Sequence, residues 1–183
     1  MNLYIPNFLT FSRILIIPLI VVMFYIDGII AQWVACTLFA IAAITDFLDG
    51  YFARQHSSIS NLGRFLDPIA DKLLVSSILF MLVAFDRISQ ISIFPALVIL
   101  LREIIVSGLR EYLAELQINM PVSRLAKWKT GIQMVAIPTL LVGEATPTWL
   151  PAQIIGEFLL WNAAILTIIT GWGYMRASLK YMR

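Results

Sequence analysis

The sequence predicts an all-α, polytopic membrane protein. Hydrophobic residues make up 60% of the 183-residue chain and charged residues 13%, and the mean hydropathy is +0.87. These values lie far outside the range of soluble globular proteins. The net charge of +2, without a basic run, gives no indication of a nucleic-acid partner. The single cysteine excludes an internal disulfide.

Six uncharged runs predict six transmembrane helices. Most of these runs are shorter than the roughly 20 residues that a helix needs to cross the hydrocarbon core. Each run becomes long enough only if its helix continues into neighbouring charged residues, so charged side chains are expected inside the helices. The predicted helices span residues 8–27, 29–54, 64–85, 89–115, 123–143 and 152–176.

Turn-forming and polar residues separate these helices in order. Asp27–Gly28 ends the first helix, and the segment QHSSISN at 55–61 separates the second from the third. Asp86–Arg87 follows the third helix. The fourth ends before QINMP at 117–121, and the fifth before the proline-containing segment GEATPTWLP at 143–151.

The distribution of lysine and arginine predicts the orientation. With six crossings, one side of the membrane receives only Arg87, and the other twelve lysines and arginines fall on the opposite side. The positive-inside rule makes the basic side cytoplasmic, with both termini inside. The residues on that side are Arg13, Arg54, Arg64, Lys72, Arg102, Arg110, Arg124, Lys127, Lys129, Arg176, Lys180 and Arg183.

Four aspartates lie at helical spacing near the predicted cytoplasmic surface. Asp46 and Asp49 end the second helix, and Asp67 and Asp71 begin the third. Carboxylates that converge in a partly dehydrated pocket repel one another, so basic side chains, bound protons or bound cations must compensate. Oxygen ligands in this number suit Mg²⁺ or Mn²⁺ best, and two ions would leave positions open for a diphosphate. The alternative is a set of solvated charges at helix ends.

The acidic segment has the pattern DxxDGxxAR, then eight residues, then GxxxDxxxD. This pattern resembles the signature of the CDP-alcohol phosphatidyltransferases at all eight fixed positions. The resemblance implies a single membrane domain of this family over residues 1–183, with six transmembrane helices, a homodimer, a two-metal site and release of CMP from a CDP-linked lipid. The matching residues are Asp46, Asp49, Gly50, Ala53, Arg54, Gly63, Asp67 and Asp71.

Within this family the chain most resembles the bacterial branch that makes phosphatidylglycerophosphate. The opening IPNFLTFSR and the later segments LREIIVSGLREYLAE and SRLAKWKTGIQM carry this similarity. It implies CDP-diacylglycerol as donor, sn-glycerol 3-phosphate as acceptor and a place in phosphatidylglycerol biosynthesis. It also implies the bacterial inner membrane, with membrane lipids around the chain and the active site on the cytoplasmic side.

The resemblance also assigns roles to individual residues. Asp46, Asp49 and Asp67 would hold the metals, and Asp71 would be the general base while also touching the second metal. The residues expected to bind CDP-diacylglycerol are Asn7, Thr10, Asp49, Gly50, Ala53, Arg54, Ser60 and Gly63.

The acceptor brings its own phosphate, so a cationic pocket is expected beside the metals. Arg110, Lys127 and Lys129 are the candidates, because arginine suits bidentate phosphate capture and lysine adds a point charge. The positive-inside bias alone also explains basic residues at these positions. Arg102 lies deeper and next to Glu103, where a buried ion pair is expected.

Three other functions remain open. A transferase of the same family could use another acceptor and make phosphatidylserine, phosphatidylinositol phosphate or cardiolipin. An intramembrane prenyltransferase also uses Mg²⁺ to ionise a diphosphate, but the DGxxAR element has no role there. A divalent-cation transporter would distribute its acids along a path through the bilayer, whereas these acids cluster at one face.

Overall fold

The computed structural model describes the backbone of residues 5–56, 61–118 and 124–179. Side chains are described at 11–45, 66, 69–118 and 124–179. Apart from two single-turn 3₁₀ segments, Gln90–Ser92 and Gly143–Ala145, the regular structure in these ranges is α-helical. The all-α prediction is therefore confirmed for the described part of the chain.

Six α-helices occur in the described ranges, and each matches one predicted from the sequence. Their first residues lie within four positions of the predictions, and their last residues lie within three. The helices are α1 Ile5–Phe24, α2 Ile29–His56, α3 Asn61–Ala84, α4 Ile93–Glu115, α5 Arg124–Val142 and α6 Ala152–Ser178.

Two helices end on a residue with left-handed backbone geometry. Asp86 follows α3 at φ 51°, and the next amide, of Arg87, donates to the Leu82 carbonyl at 2.9 Å. Gln117 follows α4 at φ 58°, and the amide of Ile118 donates to the Leu113 carbonyl at 2.9 Å. Each of these hydrogen bonds satisfies a carbonyl in the last turn of its helix. The positive φ that allows the bond is a conformation that glycine adopts more easily than Asp86 or Gln117.

The helices pack as a bundle in which α6 contacts α5 and α4, α1 contacts α2 and α3, and α2 contacts α5. The approach of α6 to α5 is close at Gly156, where an added Cβ would lie 2.7 Å from Cδ2 of Leu140. The fully buried apolar core includes Ile20, Phe39, Leu74, Ile78, Leu82, Ile99, Ile137, Leu140 and Leu160.

Large apolar side chains also cover the outside of the bundle. Ile30 is 80% exposed, Phe80 and Phe158 are each 67% exposed, and Ile104 is 62% exposed. A soluble monomer rarely carries so much exposed apolar surface, so this surface is suited to contact with lipid. Two described segments, Gln90–Glu115 and Ala152–Ser178, are long and apolar enough to cross a membrane.

A carboxylate on α6 fastens the connection between α3 and α4. Oε1 of Glu157 accepts from the Ser89 amide at 2.8 Å, and Oε2 accepts from the hydroxyls of Ser89 and Ser92 at 2.5 and 2.6 Å. Ser92 is fully buried. These bonds fix the start of α4 against the first turns of α6.

Candidate active site

A polar cavity of about 180 Å³ lies between α3, α4, α5 and α6. It is formed by the N-terminal and middle parts of α3 and α5, the middle and C-terminal part of α4 and the C-terminal part of α6. Pockets for drug-sized ligands are larger, at roughly 300–1,000 Å³. The cavity therefore suits a small polar molecule. The charged residues that line it are Asp71, Lys72, Arg102, Glu103, Arg110 and Lys129.

Helical spacing brings these side chains together. On α4, Arg102, Val106 and Arg110 are four residues apart and share one face. On α5, Lys129 and Gln133 are related in the same way. The cavity has four cationic side chains against two carboxylates, so it favours an anion.

The most deeply buried cation of the cavity is Lys129, which is 2% exposed. Its Nζ donates a hydrogen bond to Oε1 of Glu103. Nη1 of Arg102 lies 3.9 Å from the same oxygen, which is an ionic contact but too long for a hydrogen bond. Glu103 therefore pairs more closely with Lys129 than with Arg102, the partner expected from the sequence.

Arg102 instead contacts α6. Its Nη2 donates to Oγ1 of Thr170 at 3.1 Å. Its guanidinium carbon lies 5.8 Å from the centre of the Tyr174 ring, within the range of a cation–π contact. Tyr174 also lines the cavity. The sixth helix thus contributes to the cavity, although no site residue was predicted on it from the sequence.

A second polar contact ties α3 to α4 beside Asp71. Nζ of Lys72 donates to the hydroxyl of Ser107, which in turn donates to Oε1 of Glu111 at 3.2 Å. Because Lys72 adjoins Asp71 in sequence, this chain of bonds helps to fix the part of α3 from which Asp71 faces the cavity.

The structure brings three of the predicted site residues together. Asp71, Arg110 and Lys129 all line the cavity. Lys127 is exposed and is not part of this lining. It lies two positions from Lys129, so the two side chains leave α5 in nearly opposite directions.

The other predicted site residues lie outside the described side chains. All of them except Ser60 belong to helices whose backbone is described. They are Asn7, Thr10, Asp46, Asp49, Gly50, Ala53, Arg54, Ser60, Gly63 and Asp67.

The predicted metal site draws its carboxylates from α2 and α3. Among the described side chains there is no group of three or more His, Cys, Asp or Glu residues that could hold an ion. Of the four motif aspartates, only Asp71 belongs to that part of the chain. Positions 67 and 71 are one turn apart on α3, and Asp46 and Asp49 belong to α2. A donor set of four carboxylates fits a hard divalent cation.

Comparison with known proteins places the chain in a family. The model of the CDP-alcohol phosphatidyltransferase family matches residues 3–169. The chain is similar to proteins named CDP-diacylglycerol--glycerol-3-phosphate 3-phosphatidyltransferase from several bacteria. The Rickettsia felis protein is 47% identical over 176 residues, which cover 96% of each chain. The Cereibacter sphaeroides protein is 40% identical, over 100% of this chain and 99% of its own. The Haemophilus influenzae protein is 39% identical, over 97% of this chain and 95% of its own. This chain therefore belongs to the CDP-alcohol phosphatidyltransferase family.

Proposed function

We propose that the chain transfers the phosphatidyl group of CDP-diacylglycerol to sn-glycerol 3-phosphate, with release of CMP, in phosphatidylglycerol biosynthesis. Relatives that match it over nearly the whole length are named for this reaction. The observation that carries the proposal is the cavity, which is lined by Asp71 together with four cationic side chains. A small acceptor that carries a phosphate and a hydroxyl fits both features.

Arg110 and Lys129 are the groups that we assign to the acceptor phosphate. The arginine can donate two parallel hydrogen bonds to phosphate oxygens, and the buried lysine adds a fixed charge. Glu103 holds Lys129 by a hydrogen bond and thereby orients it. Lys127 lies outside the lining, so its effect on an anion would be a weak, screened attraction.

Asp71 is the proposed general base. The acceptor hydroxyl oxygen forms a bond to the lipid-side phosphorus, while the bond from that phosphorus to the CMP oxygen breaks. The hydroxyl proton passes to the Asp71 carboxylate, which lines the same cavity as the phosphate-binding cations. Holding the acceptor by its phosphate positions the hydroxyl for attack and removes much of the entropic cost.

We assign the remaining carboxylates of the motif to metal binding. Asp46, Asp49 and Asp67, with Asp71, would hold two Mg²⁺ or Mn²⁺ ions. When bound, such ions would neutralise charge on the diphosphate and on the leaving CMP. The residues that we assign to the donor are Asn7, Thr10, Asp49, Gly50, Ala53, Arg54, Ser60 and Gly63.

We further propose that all six helices cross the bacterial inner membrane, with the cavity and both termini on the cytoplasmic side. The helices have 19 to 28 residues, against the roughly 17–25 that a crossing requires. Their apolar outer surface and the one-sided distribution of basic residues support this topology. A homodimer is part of the proposal through the family resemblance.

An acceptor screen tests the proposed function. Purified protein in detergent with radiolabelled CDP-diacylglycerol should release CMP only when sn-glycerol 3-phosphate is present. Serine, inositol phosphate and phosphatidylglycerol, each tested alone, serve as matched alternative acceptors. Preference for one of these would assign the chain to another branch of the family. No CMP release with any acceptor, together with cation flux in liposomes, would favour the transporter.

A further inference from the structure

We infer that α6 completes the acceptor site by positioning Arg102 as an additional phosphate-binding group. Thr170 and Gly171 are the positioning residues. This inference rests on the proposed function, because it concerns how the same cavity holds a phosphorylated acceptor. It adds residues that lie beyond the family match, which ends at residue 169.

Thr170 is oriented to accept from Arg102. Its hydroxyl donates to the Leu166 carbonyl of its own helix at 2.8 Å, which uses its one proton. The oxygen therefore presents a lone pair to Nη2 of Arg102, 3.1 Å away. Because the direction of this hydroxyl is fixed by the helix backbone, it also fixes the direction of the guanidinium.

Gly171 provides the space in which the arginine stem lies. A Cβ at this position would be 3.1 Å from Cγ and 3.5 Å from Nε of Arg102. The first distance is shorter than a comfortable carbon–carbon contact of about 3.5–4.0 Å. Any side chain larger than hydrogen must therefore displace Arg102. At Gly173, two positions further along α6, such a Cβ would have no atom within 4 Å in the described part of the chain apart from its chain neighbours and the nearby backbone of its own helix.

Arg102 donates no hydrogen bond to a carboxylate among the described residues, and its contact with Glu103 is 3.9 Å long. Its side chain is only 14% exposed, and the groups that hold it on α6 are a hydroxyl and an aromatic ring. The nearby carboxylate, Glu103, is already hydrogen-bonded to Lys129. Arg102 and Lys129 thus both lie near the Glu103 carboxylate, and Nε of Arg102 has no hydrogen-bond partner among the described residues. A partly buried cation in this state is stabilised by an anion in the cavity.

Placement on α4 gives Arg102 a specific function in the reaction. Arg102 and Arg110 lie two turns apart on the cavity face of α4, so the site can contact a phosphate from two directions. Asp71 faces the same cavity from α3. The fixed position of Arg102 would then determine how far the acceptor hydroxyl lies from the base. Its loss should weaken acceptor binding more than donor binding.

Conservative variants on α6 test this inference. Thr170→Val removes the hydroxyl at nearly constant shape, Thr170→Ser retains it, and Gly171→Ala adds one methyl group against Arg102. Gly173→Ala is the matched control on the same helix. For each purified protein, kcat, the KM values for sn-glycerol 3-phosphate and CDP-diacylglycerol, and the thermal midpoint in detergent are measured.

We expect Thr170→Val to raise the acceptor KM about tenfold and Gly171→Ala to raise it about threefold or more. The donor KM should stay unchanged, Thr170→Ser should restore the native acceptor KM, and Gly173→Ala should behave as the native protein. Stabilisation by sn-glycerol 3-phosphate, measured without donor or divalent cation, should fall in the same order.

Three results would overturn the inference while leaving the proposed function intact. One is an unchanged acceptor KM in Thr170→Val and Gly171→Ala, with or without a lower thermal midpoint, which would make the contact purely structural. Another is an equal rise in both KM values. The third is no rescue by Thr170→Ser. If the native protein releases no CMP with sn-glycerol 3-phosphate, the proposed function itself fails.

Discussion

Lys129 on α5 is almost completely buried and donates its hydrogen bond to Oε1 of Glu103 on α4. The two side chains link the helices that carry most of the cavity's charge. A buried ammonium is stable only when it is paired, so each partner depends on the other. Loss of the Glu103–Lys129 pair should therefore lower the stability of the protein, whereas loss of Arg110 should weaken acceptor binding.

Glu103→Gln should destabilise the protein by about 1–3 kcal/mol, because it removes the carboxylate that accepts a hydrogen bond from the buried Lys129 ammonium. The partial exposure of Glu103 keeps the loss below that of a fully buried pair. Thermal denaturation in detergent measures it, with the exposed Glu115→Gln on the same helix as control. The double variant Glu103→Gln/Lys129→Met should lose less free energy of unfolding than the sum of the losses in the two single variants. Additive losses would show that the pair is not coupled.

Arg110→Ala should raise the KM for sn-glycerol 3-phosphate about ten- to a hundredfold, since a charged hydrogen bond contributes roughly 1.5–3 kcal/mol. The KM for CDP-diacylglycerol should change little. Lys127→Ala is the matched control, because it removes a cation from the same end of the bundle but outside the cavity lining. An equal effect of the two variants would indicate that the surface charge attracts the acceptor without a specific phosphate-binding pocket.

Asp71→Asn should lower kcat by roughly 10²–10⁴, the usual contribution of a general base. Asparagine keeps the shape of the side chain but cannot take the acceptor proton. Binding of CDP-diacylglycerol, measured in the absence of acceptor, should be largely retained. If donor affinity falls as steeply as kcat, Asp71 acts chiefly as a metal ligand.

Removal of divalent cations should abolish CMP release, and Mg²⁺ or Mn²⁺ should restore it. The same loss of activity is expected for Asp46→Asn, Asp49→Asn and Asp67→Asn, because a missing carboxylate lowers the affinity of the site for both ions. The thermal midpoint of each variant checks that the protein is folded. Full activity in one variant would remove that residue from the metal set, and full activity in chelator would remove the metals from the mechanism.

Helix positions could be predicted from the sequence because charge and turn residues interrupt the apolar runs. The beginning of α2 at Ile29 and of α6 at Ala152 agrees with the prediction to the residue. The grouping of Asp71 with Arg110 also followed from sequence, since both were assigned to the same end of the bundle.

Contacts between helices could not be predicted in the same way. Arg102 and Glu103 are adjacent in sequence, but neighbours on a helix point in different directions, and each finds its closest partner on another helix. Thr170 and Gly171 are uncharged, so the charge pattern of the sequence does not distinguish them from other residues of α6. One signal was available, because a single face of α6 carries the small or polar residues Thr167, Thr170, Gly171, Tyr174 and Ser178.

Glu157→Gln should lower the free energy of unfolding by about 1–3 kcal/mol without changing either KM. The carboxylate accepts hydrogen bonds from the amide and hydroxyl of Ser89 and from the buried hydroxyl of Ser92. A glutamine keeps one accepting oxygen, and its NH₂ group cannot accept from the hydroxyls. Thr170 is thirteen positions further along α6, or about 20 Å at 1.5 Å per residue, so the cavity should be undisturbed. Thermal denaturation and acceptor kinetics on the same samples test both parts, with the exposed Glu144→Gln as control. A raised acceptor KM would show that this end of the bundle is coupled to the cavity through α4 or α6.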